Sequence, residues 1–155
     1  SQRLLGRSLP PAVNTESLGE RTIWPDCDVI QADGGTRMAS ITGSFVALAL
    51  ALGRLYIDGK LTIWPISSFV AAISVGIING VPALDLNYEE DKAVTVDLNL
   101  VATEDGGLVE VQGAGEEATF SHSELLQMLA LGEKGIAELI VAQRAVLADL
   151  SAAAT

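Results

Sequence analysis

Asp26-Cys27-Asp28-Val29-Ile30-Gln31-Ala32-Asp33-Gly34-Gly35-Thr36-Arg37 joins a β-prone run to a long apolar stretch through two glycines. The pattern predicts a strand over residues 22–32 and a helix from Thr36 to about Ile57. Cys27 and Val29 would face one way, and Asp26 and Asp28 the other. Pro25 marks an edge or a bulge near the strand's start. Gly34 and Gly35 tolerate φ > 0 and leave backbone N–H groups uncovered. Unpaired N–H groups at a helix start, with the positive end of the dipole, form a ready anion site. Thr36 adds a hydroxyl, and Arg37 can fork two hydrogen bonds onto a phosphate. The same residues also describe a capped strand-to-helix turn with an exposed arginine, and spacing alone separates the two readings poorly.

Outward from this point the elements are legible. The helix carries Ile41, Phe45, Leu48 and Leu52 at helical spacing, with alanines filling most other positions. Such a helix is apolar on nearly every side and calls for burial against a sheet or another subunit. Asp58-Gly59 ends it. Residues 69–78 read as a buried strand, and Asn79-Gly80 is a two-residue hairpin signal leading into a strand over 81–87. A strand over 94–102 alternates Val94, Val96, Leu98 and Leu100 toward the core with Thr95, Asp97 and Asn99 toward the other face. Glu104-Asp105-Gly106-Gly107 turns into a strand over 108–112. Ser121 and Glu124 form a capping-box pattern for a last helix to residue 150, with Leu125, Leu129, Ile136, Leu139, Val146 and Leu150 as its buried stripe. Ahead of the glycine turn, residues 1–9 read as the tail of a helix that Pro10-Pro11 ends. Arg3 and Arg7 share one face of it. The fold class is α+β.

The chain has 155 residues, of which 49% are hydrophobic, enough to bury a core within one domain. The longest charge-free run, Met38 to Gly53, is shorter than the roughly 20 residues a membrane-spanning helix needs. No secretory leader pattern opens the sequence. Cys27 is the single cysteine, so no internal disulfide is possible. A cytoplasmic enzyme fits these features. The formal net charge of −11, with nine Lys and Arg, repels nucleic acid in the far field.

The carboxylates offer a second chemistry. Glu89-Glu90-Asp91 follows a strand, and Asp97 projects from the polar face of the next. A loop of that length can bring Asp91 and Asp97 together. Two adjacent carboxylates suit Mg²⁺, which takes oxygen ligands and substrate phosphates; alternatively one acts as a general acid of raised pKa. The pattern is equally that of a solvated acidic loop and one exposed strand aspartate.

The words DCDVIQADGGTR and ASITGSFVAL, with Ile73-Ser74-Val75-Gly76, Asp85-Leu86-Asn87-Tyr88-Glu89-Glu90-Asp91, Asp97-Leu98-Asn99 and Glu110-Val111-Gln112-Gly113, resemble the ribonuclease PH family. Its members are phosphate-dependent 3′→5′ exoribonucleases that trim the 3′ ends of tRNA and other RNA. The resemblance covers nearly the whole chain but only the latter portion of a full subunit, so residues 1–155 are expected to form one such domain, incomplete at its N-terminus. It implies a ribosomal protein S5 domain 2-like sheet of ββαβα type with packed helices. It also implies that Gly35, Thr36 and Arg37 bind the attacking phosphate, and that Asp91 and Asp97 are the acidic, Mg²⁺-binding pair of the active site. The implied partners are RNA and inorganic phosphate, and the implied assembly is a hexameric ring of dimers with no membrane association. Family members carry a further phosphate-binding arginine upstream of Ser1, and Ala114 stands where threonine is expected. The rival expectation is a catalytically inactive scaffold subunit of a ring complex, which would be expected to lose the acidic pair or the GGTR word; both are present.

Overall fold

Central position shows in burial: from Val70 to Ile77 every residue of one strand is buried on both faces. The computed structural model describes residues 6–116 and 118–149. Its elements are α1 (Thr36–Ile57), β1 (Val70–Ile78), β2 (Val81–Leu84), α2 (Tyr88–Ala93), β3 (Val96–Thr103), β4 (Leu108–Gly115) and α3 (His122–Val146). Short 3₁₀ turns occupy Pro10–Ala12 and Thr15–Leu18. The four strands form an antiparallel sheet in the order β2-β1-β3-β4.

Helices cover both faces, each burying the apolar set that its period presents. On one face, Met38, Ile41, Phe45, Leu48 and Leu52 of α1 pack with Val70, Ala72 and Val101. On the other, Met128, Ile136 and Ile140 of α3 pack with Ile73, Val75, Val96, Leu98 and Leu100. The alternation expected along β3 therefore holds from Val96 to Leu100. Val94 instead lies ahead of the strand and packs over Gly76 on the other face, the face that α1 covers at Val70, Ala72 and Val101. By length and composition alone α1 could cross a bilayer; here one side of it lies on the sheet. Gly132 and Gly135 let α3 sit close, since a Cβ would come 2.8 Å from Leu100 and 2.5 Å from Ile73. Val146, expected in the buried stripe, is exposed, and Gln143 and Leu147 are buried instead. Leu150 and Arg3 lie outside the described residues. Gly6–Ser8 is helical, and Arg7 pairs with Glu110 at 3.6 Å.

Hairpin chemistry behaves as the residues dictate. Asn79 (φ 51°) and Gly80 (φ 78°) make the two-residue turn between β1 and β2. β2 is shorter than expected because Asp85 turns to φ 55°. That leaves half of one β1 edge without a strand partner. Ser74 O still accepts from Asp85 N, but further along the edge the side chains of α1 and α3 take over. Thr42 Oγ1 accepts from Ala72 N (3.0 Å) and donates to Ala72 O (3.1 Å). Gln143 Nε2 donates to Val70 O (3.0 Å) and to Thr42 O (3.1 Å).

The strand expected over residues 22–32 is absent: that segment has no regular secondary structure. A strand exists only with a neighbour to share its ladder, and β-propensity measures fit to such a surface rather than a backbone preference. The segment instead runs along α1. Ile23 and Cys27 pack against the α1 core, and Cys27 Sγ lies 2.8 Å from Ser44 Oγ. Val29 does not share the inward side with Cys27, and Ile30 is fully exposed.

Candidate active site

The glycine turn is built as the sequence requires. Gly35 takes φ 68° as the residue preceding α1, and no side chain caps the helix start. Its first N–H groups are therefore available to an outside acceptor. Thr36 Oγ1 folds back, donating to Asp33 O at 2.6 Å and accepting from Asp33 N at 3.3 Å. The hydroxyl proton expected for phosphate is thus engaged within the turn. Arg37 is exposed and makes no ion pair or hydrogen bond among the described residues.

Strand register places the acidic group beneath this turn. Ser74 stands opposite Asn99, and Gly76 opposite Asp97, on the sheet face where α1 begins. A Cβ on Gly35 would come 3.0 Å from Ser74 Oγ, so the turn rests directly on that serine. Asn99 Nδ2 donates to Asp97 Oδ2 at 2.9 Å. Burial, chiefly, pushes the Asp97 carboxyl above its ordinary value, aided by the negative charges of Asp91 and Glu116. The Asn99 bond and the positive charge of Arg37 pull the other way without reversing it.

Asp91 sits on α2, where a loop was expected. Asn87 caps this short helix, its side chain accepting from Glu89 N and Glu90 N while Glu90 Oε2 accepts from Asn87 N. The pattern Asn-x-x-Glu is a capping box that sequence could have disclosed. The glycine turn meets the start of α2 directly. A Cβ on Gly34 would come 2.1 Å from Leu86 O, so only glycine fits there. Asp33 Oδ1 accepts from Tyr88 N at 2.7 Å.

Arg37 and Asp91 thus both act electrostatically on Asp97, with Gly35 and Thr36 forming the turn above it. Sequence reasoning passed over Asp33, Ser74, Asn87 and Glu116 as site residues. Ser74 carried a signal, being the one polar residue inside an apolar strand. Asp91 and Glu116 both act on Asp97 through their negative charge, and among the described residues no group of three or more His, Cys, Asp or Glu gathers for a metal. A pair suffices for Mg²⁺, which keeps several waters and takes substrate phosphate oxygens.

Comparison with known proteins identifies the family. Residues 1–52 match the 3′ exoribonuclease family, domain 1, and residues 68–135 match domain 2 of the same family. Ribonuclease PH of Bacillus subtilis (strain 168) is 59% identical over 150 residues, covering 96% of this chain and 61% of that protein. Ribonuclease PH of Exiguobacterium sibiricum is 60% identical over 139 residues, 90% of this chain and 56% of that protein. That of Listeria innocua is 55% identical over 149 residues, 96% and 60%. The chain spans about three-fifths of the length of these curated relatives. The crystal structure of rice (Oryza sativa) Rrp46 superposes with a TM-score of 0.58 at 21% identity, over 79% of this chain and 51% of that one, a likeness of fold. With both domain matches in chain order and relatives this similar, the chain belongs to the ribonuclease PH family of 3′ exoribonucleases.

Proposed function

We propose that the protein is a phosphate-dependent 3′→5′ exoribonuclease that shortens tRNA and other RNA from the 3′ end and releases nucleoside diphosphates. The observation that carries this reading is the meeting of an uncapped helix start bearing Arg37 with the Asp91–Asp97 pair. Inorganic phosphate binds at the Gly35–Arg37 turn, where backbone N–H groups and a guanidinium complement its charge. A phosphate oxygen attacks the phosphorus of the 3′-terminal phosphodiester. The bond from that phosphorus to the 3′-oxygen of the preceding nucleotide breaks, a nucleoside 5′-diphosphate departs, and the freed 3′-oxygen takes a proton. Arg37 offsets charge on the reacting oxygens, where phosphoryl-transfer catalysis gains most.

Asp91 and Asp97 would hold Mg²⁺, which when bound neutralises phosphate charge. Burial and the neighbouring Asp91 both penalise ionised Asp97, and a proton or a cation relieves that penalty. Cytoplasmic location and a closed homo-oligomer, a hexameric ring of dimers, complete the reading. Trp24 (86% exposed) and Ile30 (98% exposed) are large apolar side chains that a subunit interface would cover. A purely scaffolding role is disfavoured by the intact turn and acidic pair. The test is incubation of the protein with a short RNA, Mg²⁺ and inorganic phosphate. Nucleoside diphosphates should appear only with phosphate present; nucleoside monophosphates, or no release, would sink the proposal.

A further inference from the structure

One carboxylate oxygen joins the two halves of the candidate site. Asp33 Oδ1 accepts from Gly34 N at 2.8 Å and from Tyr88 N at 2.7 Å. Gly34 belongs to the turn that opens α1, and Tyr88 is the first residue of α2, which carries Asp91. The backbone of Asp33 is tied to Thr36 Oγ1 through both its N–H and its C=O. The same residue thus grips the phosphate turn, Thr36 and the acidic helix. Where Gly34 meets Leu86 and Asn87, the contact is backbone against backbone and has no room for adjustment. Asp33 supplies the directional bond across that contact.

We infer that Asp33 is a positioning residue that fixes the phosphate turn against α2, so that bound phosphate and Asp91 stay aligned. This rests on the phosphorolytic reading above. A misplacement of about 1 Å between reacting groups can cost roughly a hundredfold in rate, so the register of the two elements matters. No contact of Asp33 with substrate is required. Its carboxylate acts only through Gly34 and Tyr88.

Four variants of the protein test this. Asp33→Ala removes the acceptor, whereas Asp33→Asn keeps an oxygen at Oδ1. Tyr88→Pro removes the donor and leaves Asp33 in place, and proline is tolerated at the first position of a helix. Tyr88→Ala is its control for the lost ring. Asp33→Ala and Tyr88→Pro should each lower kcat/KM for phosphorolysis by about tenfold or more at temperatures well below melting, with a raised KM for phosphate. Asp33→Asn and Tyr88→Ala should stay within about threefold of the parent. In parallel, titration of inorganic phosphate followed by the amide signals of Gly35 to Arg37 should show weaker binding in Asp33→Ala and Tyr88→Pro only. Unchanged phosphate KM and unchanged phosphate titration in Asp33→Ala would overturn the inference, as would equal damage by Asp33→Asn. If the parent itself releases no nucleoside diphosphate, the phosphorolytic reading falls. The titration arm then still decides whether Asp33 organises an anion site.

Discussion

Asp97 is where burial and charge conflict most sharply. Its carboxyl is held above the ordinary value of 3.8, first by burial and then by Asp91. A carboxyl whose folded-state pKa is raised contributes full stability below its unfolded value, and that stability is lost as pH rises through the raised value. Asp97→Asn keeps the shape and still accepts from Asn99, but cannot ionise. The variant should therefore gain stability relative to the parent at neutral pH and lose that advantage near pH 3; thermal melts at the two pH values measure this. Mg²⁺-dependent phosphorolysis should fall by about a hundredfold in the same variant. Full activity would make Asp97 a bystander. Arg37 acts on the other partner. It is exposed and without a protein ion pair among the described residues, so Arg37→Ala should leave folding intact. Losing a charge-assisted bond costs about 1.5–3 kcal/mol, so the KM for phosphate should rise roughly ten- to a hundredfold. RNA affinity should change far less. Steady-state rates over a phosphate series, beside RNA binding without phosphate, separate the two.

Elements were legible where their signal is local. Asn79-Gly80 named its turn, Ser121 with Glu124 named the start of α3, and the 3.6-residue period of Ile41, Phe45, Leu48 and Leu52 named the buried side of α1. Each depends on residues within a turn or two of one another. What failed depends on distant partners. Residues 22–32 carry β-branched side chains yet form no strand, because no described strand shares their backbone ladder. The link from Asp33 to Tyr88 spans 55 positions and leaves no local pattern. Likewise, nothing near Thr42 foretells that its hydroxyl closes the open edge of β1. Thr42→Val keeps the volume and deletes both bonds, leaving Ala72 N–H and C=O unpaired in the interior. The expected loss is about 1–3 kcal/mol of stability by denaturant unfolding, with Thr42→Ser close to the parent. An unchanged midpoint for Thr42→Val would mean that water replaces the hydroxyl there.

At the scale of the whole molecule the difficulty is charge. A net charge of −11 opposes a polyanionic substrate, and only nine side chains are Lys or Arg. Several of these are committed elsewhere: Arg7 to Glu110, Arg54 and Lys60 to Asp58, Lys134 to Glu138, and Arg144 to Glu104. Among the described residues the cations around the candidate site are Arg37, and Lys92 on α2, stacked 4.0 Å over the Tyr88 ring. On the exoribonuclease reading proposed above, such a chain would bind RNA through few phosphate contacts, with the 3′ end held by the site rather than the strand held by a basic face. Each phosphate neutralised on a single strand contributes about −0.7 to the slope of log K against log salt. Two contacts therefore give a slope of about −1.4, against about −4 to −7 for a protein making six to ten such contacts. Fluorescence anisotropy of a labelled single-stranded RNA across a salt series measures it for the 155-residue chain. A slope steeper than about −4 would require a basic surface that the described residues do not form, and the picture of a site that grips only the RNA terminus would have to be given up.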